Sequence, residues 1–282
     1  MVVQHNLTAM NANRMLGITT NAQAKQTERL ASGYRINRAA DDAAGLSVSE
    51  KMRRQIRGLD QASANAQDGI SLVQSAEGAL NEVHDMLQRM NELTVKAANG
   101  TYTTTQKQYI ADEINQLVSE IDRVATTTKF NDQKVLQGSL ADGTAATKSF
   151  QFQVGNESGE TLAVTISNMK ASKLNAGLKD QSWSSATQYT HVASFINVVS
   201  AALETVASQR SALGAVQNRL EHTINNLDSI VENTTAAESR IRDTDMAKSM
   251  VTYSNNQILA QAGQAMLAQG NQANQGVLSL LQ

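Results

Sequence analysis

The chain has 282 residues, a net charge of −2, no cysteine and no proline, and 18% of its residues are charged. So even a balance gives no electrostatic reason to bind nucleic acid or an anionic membrane, and the four histidines show no metal-ligand spacing. Without proline, and with 4% aromatic residues, the composition suits long uninterrupted helices packed closely through Leu, Ile, Val, Met and Ala, in one large domain or two.

The N-terminal stretch Met1-Val2-Val3-Gln4-His5-Asn6 has no basic start followed by an apolar block, so no cleaved signal peptide is expected. No run approaches the ~20 apolar residues that span a bilayer, so no membrane insertion is expected either. On these signs alone the chain stays in the cytosol. From Met1 to about Ser32 the sequence is polar, with a thin apolar stripe through Val3, Leu7, Met10 and, less regularly, Leu16. Arg14 is the only charged side chain before Lys25. Alone, such an arm is a marginal helix, because its apolar face is too narrow to offset the entropy of ordering.

Ser32-Gly33 and the following Tyr34-Arg35-Ile36-Asn37-Arg38 read as a break. Asp41-Asp42 then precede Ala43-Ala44 and a helix over Leu46–Gly58, where carboxylates favour the helix N-terminus. A longer helix spans Ala64 to Asn99, with Val73, Ala76, Leu80, Val83, Leu87, Met90, Thr94 and Ala97 at alternating spacings of three and four. Leu72, Ala79, Met86 and Leu93 widen this seam, while Glu82, Asp85, Arg89, Glu92 and Lys96 lie on the other face. Such a helix is roughly 50 Å long and needs partners of similar length. Asn99-Gly100 reads as its left-handed cap and Thr101–Thr105 as a polar turn.

Ile110, Ile114, Leu117, Ile121, Val124 and Thr128 predict a second amphipathic helix returning along the first. After Lys129 the period changes. Phe150, Phe152 and Val154 alternate with polar residues, Asn156-Glu157-Ser158-Gly159 is a turn, and Leu162, Val164 and Ile166 alternate again, a β-hairpin at about 148–167. Ala171–Thr190, with Trp183, has no clear period and reads as irregular. Helix resumes near Ala193, with Val199, Ala202, Val206, Leu213, Val216, Leu220, Leu227 and Ile230 in a heptad frame and polar Gln209 and Thr223 in its other slots. Asp243 and Asp245 precede a last helix.

After Lys248 the remaining thirty-four residues carry no charge. They are rich in Gln, Asn, Ala and Gly, with apolar Val251, Ile258, Leu259, Met266, Val277, Leu280 and Leu281. Both ends of the chain are therefore charge-poor and weakly amphipathic. They read either as frayed tails or as segments that pack together, and against other copies, only in an assembly.

The paired carboxylates Asp41/Asp42 and Asp243/Asp245 are candidate acid–base machinery, but no motif ties a histidine, a nucleophile elbow or a second carboxylate cluster to them. Helix capping and salt bridges with Arg35, Arg38, Arg240 or Arg242 are the expected roles. With no Gly-Lys phosphate loop and no zinc motif, neither enzyme activity nor a cofactor is expected.

Ser32-Gly33-Tyr34-Arg35-Ile36-Asn37 followed by Asp41-Asp42-Ala43-Ala44-Gly45 resembles the N-terminal signature of bacterial flagellins. So do Gly58-Leu59-Asp60-Gln61-Ala62-Ser63, Asn65-Ala66-Gln67-Asp68-Gly69-Ile70-Ser71 and Glu77-Gly78-Ala79-Leu80. Leu213-Gly214-Ala215-Val216-Gln217-Asn218-Arg219-Leu220, Ala237-Glu238-Ser239-Arg240-Ile241-Arg242-Asp243-Thr244-Asp245 and Val277-Leu278-Ser279-Leu280-Leu281 match the C-terminal blocks. The resemblance covers roughly residues 1–170 and 190–282.

It implies a mainly α fold: a long antiparallel helical rod or coiled coil with a β-hairpin, and terminal helical arms that order on assembly. The arms, 1–41 with 244–282, would line the inner tube of a filament. Residues 42–170 with 191–243 would form the rod, and 171–190 the remnant of a variable outer region. It also replaces the cytosolic reading with export through the flagellar type III apparatus, without a cleaved signal, to an extracellular flagellar filament. The implied partners are other copies of the chain in a helical homopolymer, a flagellar secretion chaperone, hook-associated and cap proteins, and the vertebrate Toll-like receptor for flagellin. Arg89, Leu93 and Glu113 match the receptor contacts. Leu7, Met10, Ile258, Leu259, Met266, Val277, Leu280 and Leu281 fall in the assembly and chaperone-held arms. The nearest rival is a hook–filament junction protein of the same superfamily. A secreted enzyme or adhesin would need a larger insert, and a cytosolic coiled-coil scaffold leaves the paired uncharged ends unexplained.

Overall fold

A computed structural model describes residues 6–138, 147–178 and 188–279. In chain order these form α1 (Leu7–Ser32), α2 (Ala43–Ala98), α3 (Thr104–Thr127), β1 (Lys129–Phe130), β2 (Gln133–Lys134), β3 (Thr147–Gln153) and β4 (Thr161–Ser167). A short helix α4 (Ala171–Leu174), a 3-10 turn (Ala176–Leu178), α5 (Gln188–Arg242) and α6 (Met246–Ser279) follow. Close packing divides the chain into two units, residues 57–231 and residues 1–56 with 232–282.

The core of the 57–231 unit is the seam read from the sequence. Val73, Ala76, Leu80, Val83, Leu87, Met90 and Ala97 of α2 are fully buried, as are Ile114 and Ile121 of α3 and Val199, Ala202 and Val206 of α5. Burial of each Leu, Ile, Val or Met stabilises by roughly 1.5–3 kcal/mol. Thr94 keeps its place in the seam because its hydroxyl donates to the Met90 carbonyl at 2.6 Å. A capping box starts α3: the Thr103 oxygen accepts from the Gln106 amide and the Gln106 side chain accepts from Thr103.

β3 and β4 pair antiparallel, with Phe150 opposite Val164 and Phe152 opposite Leu162. β4 buries Leu162, Val164 and Ile166 and exposes the residues between them. Two polar side chains fasten the hairpin to helices. Asn65 of α2 donates to the Gln153 carbonyl at 3.0 Å. Gln209 of α5 donates to the Thr165 carbonyl at 3.1 Å and accepts from the Ser167 amide at 3.3 Å. The polar residue in the α5 heptad therefore completes the edge of the sheet. Gly58 lies against the hairpin turn, where a Cβ would run into the Asn156 side chain.

Several sequence expectations are corrected. The break at Gly58 does not occur: α2 runs through it without interruption, the glycine serving close approach rather than termination. Gly100 does not have positive φ and so is no left-handed cap. Instead the Thr101 amide donates to the Asn99 side chain at 3.2 Å, an Asx turn. β1 and β2 form a small hairpin that periodicity did not reveal. Its turn places Asn131 and Asp132 at φ of 47° and 60°, the left-handed pair that a tight two-residue hairpin requires. Part of Ala171–Thr190 is regular, as α4, the 3-10 turn and the start of α5 at Gln188, while Trp183 lies outside the described residues. The helix His191–Arg242 contains an 18-residue window with a mean hydropathy of 1.2, apolar enough to cross a membrane by length and composition. One face of it, Val192, Phe195, Val199, Ala202, Val206, Leu213 and Leu220, belongs to the core.

In the other unit α1 packs on α6. The half-buried residues of α1 include Ala9, Ala12, Leu16, Thr19, Gln23, Gln26 and Leu30, and those of α6 include Ser249, Tyr253, Asn256, Gly263, Leu267 and Gly270, with Ala260 buried. Both series alternate by three and four, a coiled-coil seam made of small and polar residues. The Asn6 side chain donates to the Gly270 carbonyl at 3.2 Å, and a Cβ at Gly263 would sit 3.4 Å from Leu16 Cδ1. Leu7 and Met10 of the expected stripe are thus not on the face that meets α6; Leu16 lies in the seam, and Val3 falls outside the described residues.

The helix ends meet at a compact junction. Gly33, at φ 76°, ends α1 and lets Tyr34 bridge Asp243. The Arg35 amide donates to the Arg242 carbonyl at 2.7 Å and the Thr244 amide to the Gly33 carbonyl at 3.0 Å. The Arg242 guanidinium lies 4.6 Å from the Tyr34 ring centroid and 3.3 Å from Glu50. Capping is borne out for Asp42, which accepts from the Gly45 amide at 2.9 Å, and for Asp245, which accepts from the Lys248 amide at 3.0 Å. The expected arginine partners are corrected. Asp41 pairs with Lys25 at 2.8 Å, Arg38 with Glu28 at 2.9 Å, and Asp243 accepts from the Ser239 hydroxyl at 2.6 Å. Lys25, with help from the Arg38 and Asn37 amides, lowers the Asp41 pKa to about 2.

Candidate assembly surface

The seam between α1 and α6 uses one face of each helix and leaves apolar side chains on the others. On α1, Leu7 (67% exposed), Met10, Met15 and Ile18 stand in water. Met10, Met15 and Ile18 follow Leu7 by three, eight and eleven residues, which places all four on one side of the helix, away from the seam. On α6, Val251, Ile258, Leu259 (58% exposed) and Met266 are open. Spacings of seven, eight and fifteen from Val251 again put them on a single flank. Charge is nearly absent around both faces: Arg14 alone on α1 before Lys25, none on α6 after Lys248. Rows of exposed apolar side chains with little charge around them are candidate binding surfaces for something that excludes water.

Of the residues named for this role, Leu7, Met10, Ile258, Leu259 and Met266 are exposed. Val277 falls within α6, with its side chain outside the described residues, and Leu280 and Leu281 lie outside them altogether. Sequence reasoning missed Met15, Ile18 and Met250, exposed like the others. It also missed the seam itself, whose signal was present as small residues at heptad spacing.

The second candidate patch is on the 57–231 unit. Arg89 of α2 reaches Glu113 of α3 at 3.0 Å and Glu92 at 3.3 Å. The hydrogen bonds that Arg89 donates to these carboxylates, Glu113 first, raise its pKa above the ordinary value. Arg89 and Glu113 are about half exposed, so the pair presents a fixed charge pattern to solvent. Leu93, the third residue of the patch, is 3% exposed and belongs to the core beneath.

Two terminal helices packed on each other, a heptad-packed helical core and a hairpin fastened to it define a mainly helical protein whose terminal helices leave apolar side chains exposed. Residues 3–141 match the family profile of the bacterial flagellin N-terminal helical region, and residues 196–281 that of the C-terminal helical region. The chain is 52% identical over 281 residues to the flagellin of Halalkalibacterium halodurans, covering all of both chains. It is 48% identical over 285 residues to the flagellar filament 33 kDa core protein of Treponema phagedenis, again over all of both. Its structure resembles that of a flagellar hook-associated protein from Vibrio parahaemolyticus, with a TM-score of 0.59, 16% identity, and coverage of 72% of this chain and 100% of the other. At that identity the likeness shows a shared fold and no shared role. The chain belongs to the bacterial flagellins, the family of extracellular flagellar filament subunits.

Proposed function

We propose that this chain polymerises into the flagellar filament through its arms, residues 1–41 with 244–282, and that the exposed faces of α1 and α6 are the surfaces that meet other copies. The observation that carries this reading is the row Leu7, Met10, Met15 and Ile18 on α1 and Val251, Ile258, Leu259 and Met266 on α6, apolar and exposed. Burying one such side chain between copies contributes roughly 1.5–3 kcal/mol. A small-residue seam holds the arms together weakly, so they order fully when neighbouring copies cover the remaining faces. Residues 42–170 with 191–243 act as the rod, and 171–190 as what is left of an outer region. The uncovered arm is an aggregation hazard before assembly, which gives a secretion chaperone its target and fits export without a cleaved signal. Hook-associated and cap proteins would meet the same terminal surfaces.

Arg89 and Glu113 form the exposed part of the surface open to the Toll-like receptor for flagellin, with Leu93 supporting their turn from the core. Seeded polymerisation tests the main reading. Full-length chain added to short filament fragments gives long filaments by electron microscopy, and a truncation ending at Lys248 gives none. A full-length chain that only caps the seeds would instead favour the hook–filament junction role.

A further inference from the structure

One cavity is unrelated to the apolar faces. It has a volume of about 390 Å³ and lies beside the junction of the arms, between the end of α1, the α5–α6 link and the first turns of α6. Four cationic side chains line it, Arg29, Arg35, Arg240 and Lys248, against two carboxylates, Asp243 and Asp245. Each carboxylate already accepts a hydrogen bond from a neighbouring residue of its own segment. Asp245 accepts from the Lys248 backbone amide at 3.0 Å, and Asp243 accepts from the Ser239 hydroxyl at 2.6 Å. Among the described residues, none of the four cations has a carboxylate within ion-pair distance, whereas Lys25, Arg38 and Arg242 of the same unit each do.

Two further observations point to a missing anion. Arg29 Nε is shielded from solvent and has no hydrogen-bond partner among the described residues. A desolvated guanidinium N–H without an acceptor is costly, and an oxyanion in the cavity is an acceptor of the right kind. The second is the position of Lys248. Arg29 and Arg240 sit in the last turns of α1 and α5, where the helix dipole favours a cation. Lys248 sits in the first turn of α6, where the dipole opposes one. The positive helix end and Lys248 therefore add to the field of the three arginines instead of relieving it. Arg35 is already oriented, its guanidinium donating to the Ile241 carbonyl at 2.6 Å.

We propose that this cavity binds a compact oxyanion of the phosphate or carboxylate class. Such an anion gives Arg29 its acceptor and neutralises a net excess of two cations, four less two, at the junction where both arms begin. It arrives either as a free ion or as an acidic side chain of a second copy.

The test is a titration of the full-length chain with inorganic phosphate, followed by ³¹P relaxation, at ionic strength held constant with chloride. It is run on soluble chain and on polymer, for wild type, an Arg240→Gln/Lys248→Gln double variant and a Lys51→Gln control outside the cavity. Neither Arg240 nor Lys248 bonds another described residue through its side chain, and circular dichroism confirms that the variant keeps its helices. Saturable binding near one phosphate per chain, weakened about tenfold or more in the double variant and unchanged in the control, supports a free-ion site. Absence of phosphate binding, with a chloride-sensitive rise in critical concentration confined to the double variant, supports a carboxylate from a second copy. Neither effect in any state overturns the proposal. If the wild type fails to polymerise, the assembly reading fails, and the titration of the soluble chain alone decides the anion site.

Discussion

The two units of this chain use the same heptad spacing to opposite ends. In residues 57–231 the seam positions hold mainly Leu, Val, Ile and Met interspersed with Ala, and a single chain buries most of them. In the arms the seam positions hold Ala, Gly, Ser, Thr, Asn and Gln with a few larger residues, and no residue of α1 is buried. Large side chains in the seam make a unit that is finished as a monomer. Small ones bring two backbones close but remove little apolar surface from water, while the large apolar residues stand on other faces. On the proposed reading, the body is self-sufficient and the arms are completed by other copies.

The contrast breaks most severely in the body. Leu87→Ala deletes a fully buried side chain, and an expected loss of about 2–5 kcal/mol is read as a lower urea midpoint of the cooperative unfolding transition. In the arms the ranking of stability against assembly reverses. Leu259→Asp with Met266→Asp alters two exposed residues, so the urea midpoint stays within error of wild type. The critical concentration for polymerisation rises roughly tenfold or more, because two buried apolar contacts between copies are replaced by carboxylates. A fall in the urea midpoint of that variant would move those side chains into the monomer's own core.

Smaller effects sharpen the comparison at the junction. Gly33→Ala forces a side chain into the left-handed conformation at φ 76° and weakens the α1 end by about 1 kcal/mol, seen as faster hydrogen exchange in α1 without change in the body. Asp41 supplies a pH signature. Its pKa in the folded chain, about 2, lies below the ordinary 3.8. Its contribution is therefore complete above the ordinary value and lost as pH falls through about 2. Asp41→Asn removes that step from the acid dependence of arm order, and a circular dichroism titration reads it. Smallest of all, Arg89→Ala breaks a half-exposed ion pair with Glu113 and leaves the unfolding midpoint unchanged, while affinity for the receptor ectodomain, measured by surface plasmon resonance, falls.

How much of this was legible in the sequence follows the same division. Large apolar residues at periods of 3.6 and 2 announce the body, and the helices around Val73–Ala97 and Ile110–Val124 and the strands around Phe150 and Val164 are where the pattern puts them. The arms mislead the same method. Leu7 and Met10 look like a core stripe but face outward, while Ala9, Ala12 and Thr19, too small to register as hydrophobic, make the actual contact. Gly58 reads as a break because glycine's low helix propensity is visible in sequence and the approach of Asn156 is not. The Arg89–Glu113 pair joins residues on two helices, and no local pattern announces such a partner. The cavity at the junction gathers Arg29, Arg35, Arg240 and Lys248 from both ends of the chain, a grouping that only the fold creates.

The difference between body and arms is tested most directly by hydrogen exchange with mass spectrometry on free chain and polymer under one buffer. Amides of α1 and α6 are expected to exchange fast in the free chain and slowly in the polymer, while those of α2, α3 and α5 within residues 57–231 stay slow in both. Arms as protected as the body in the free chain, or arms whose exchange is unchanged by polymerisation, would contradict the claim that their exposed faces are completed by other copies.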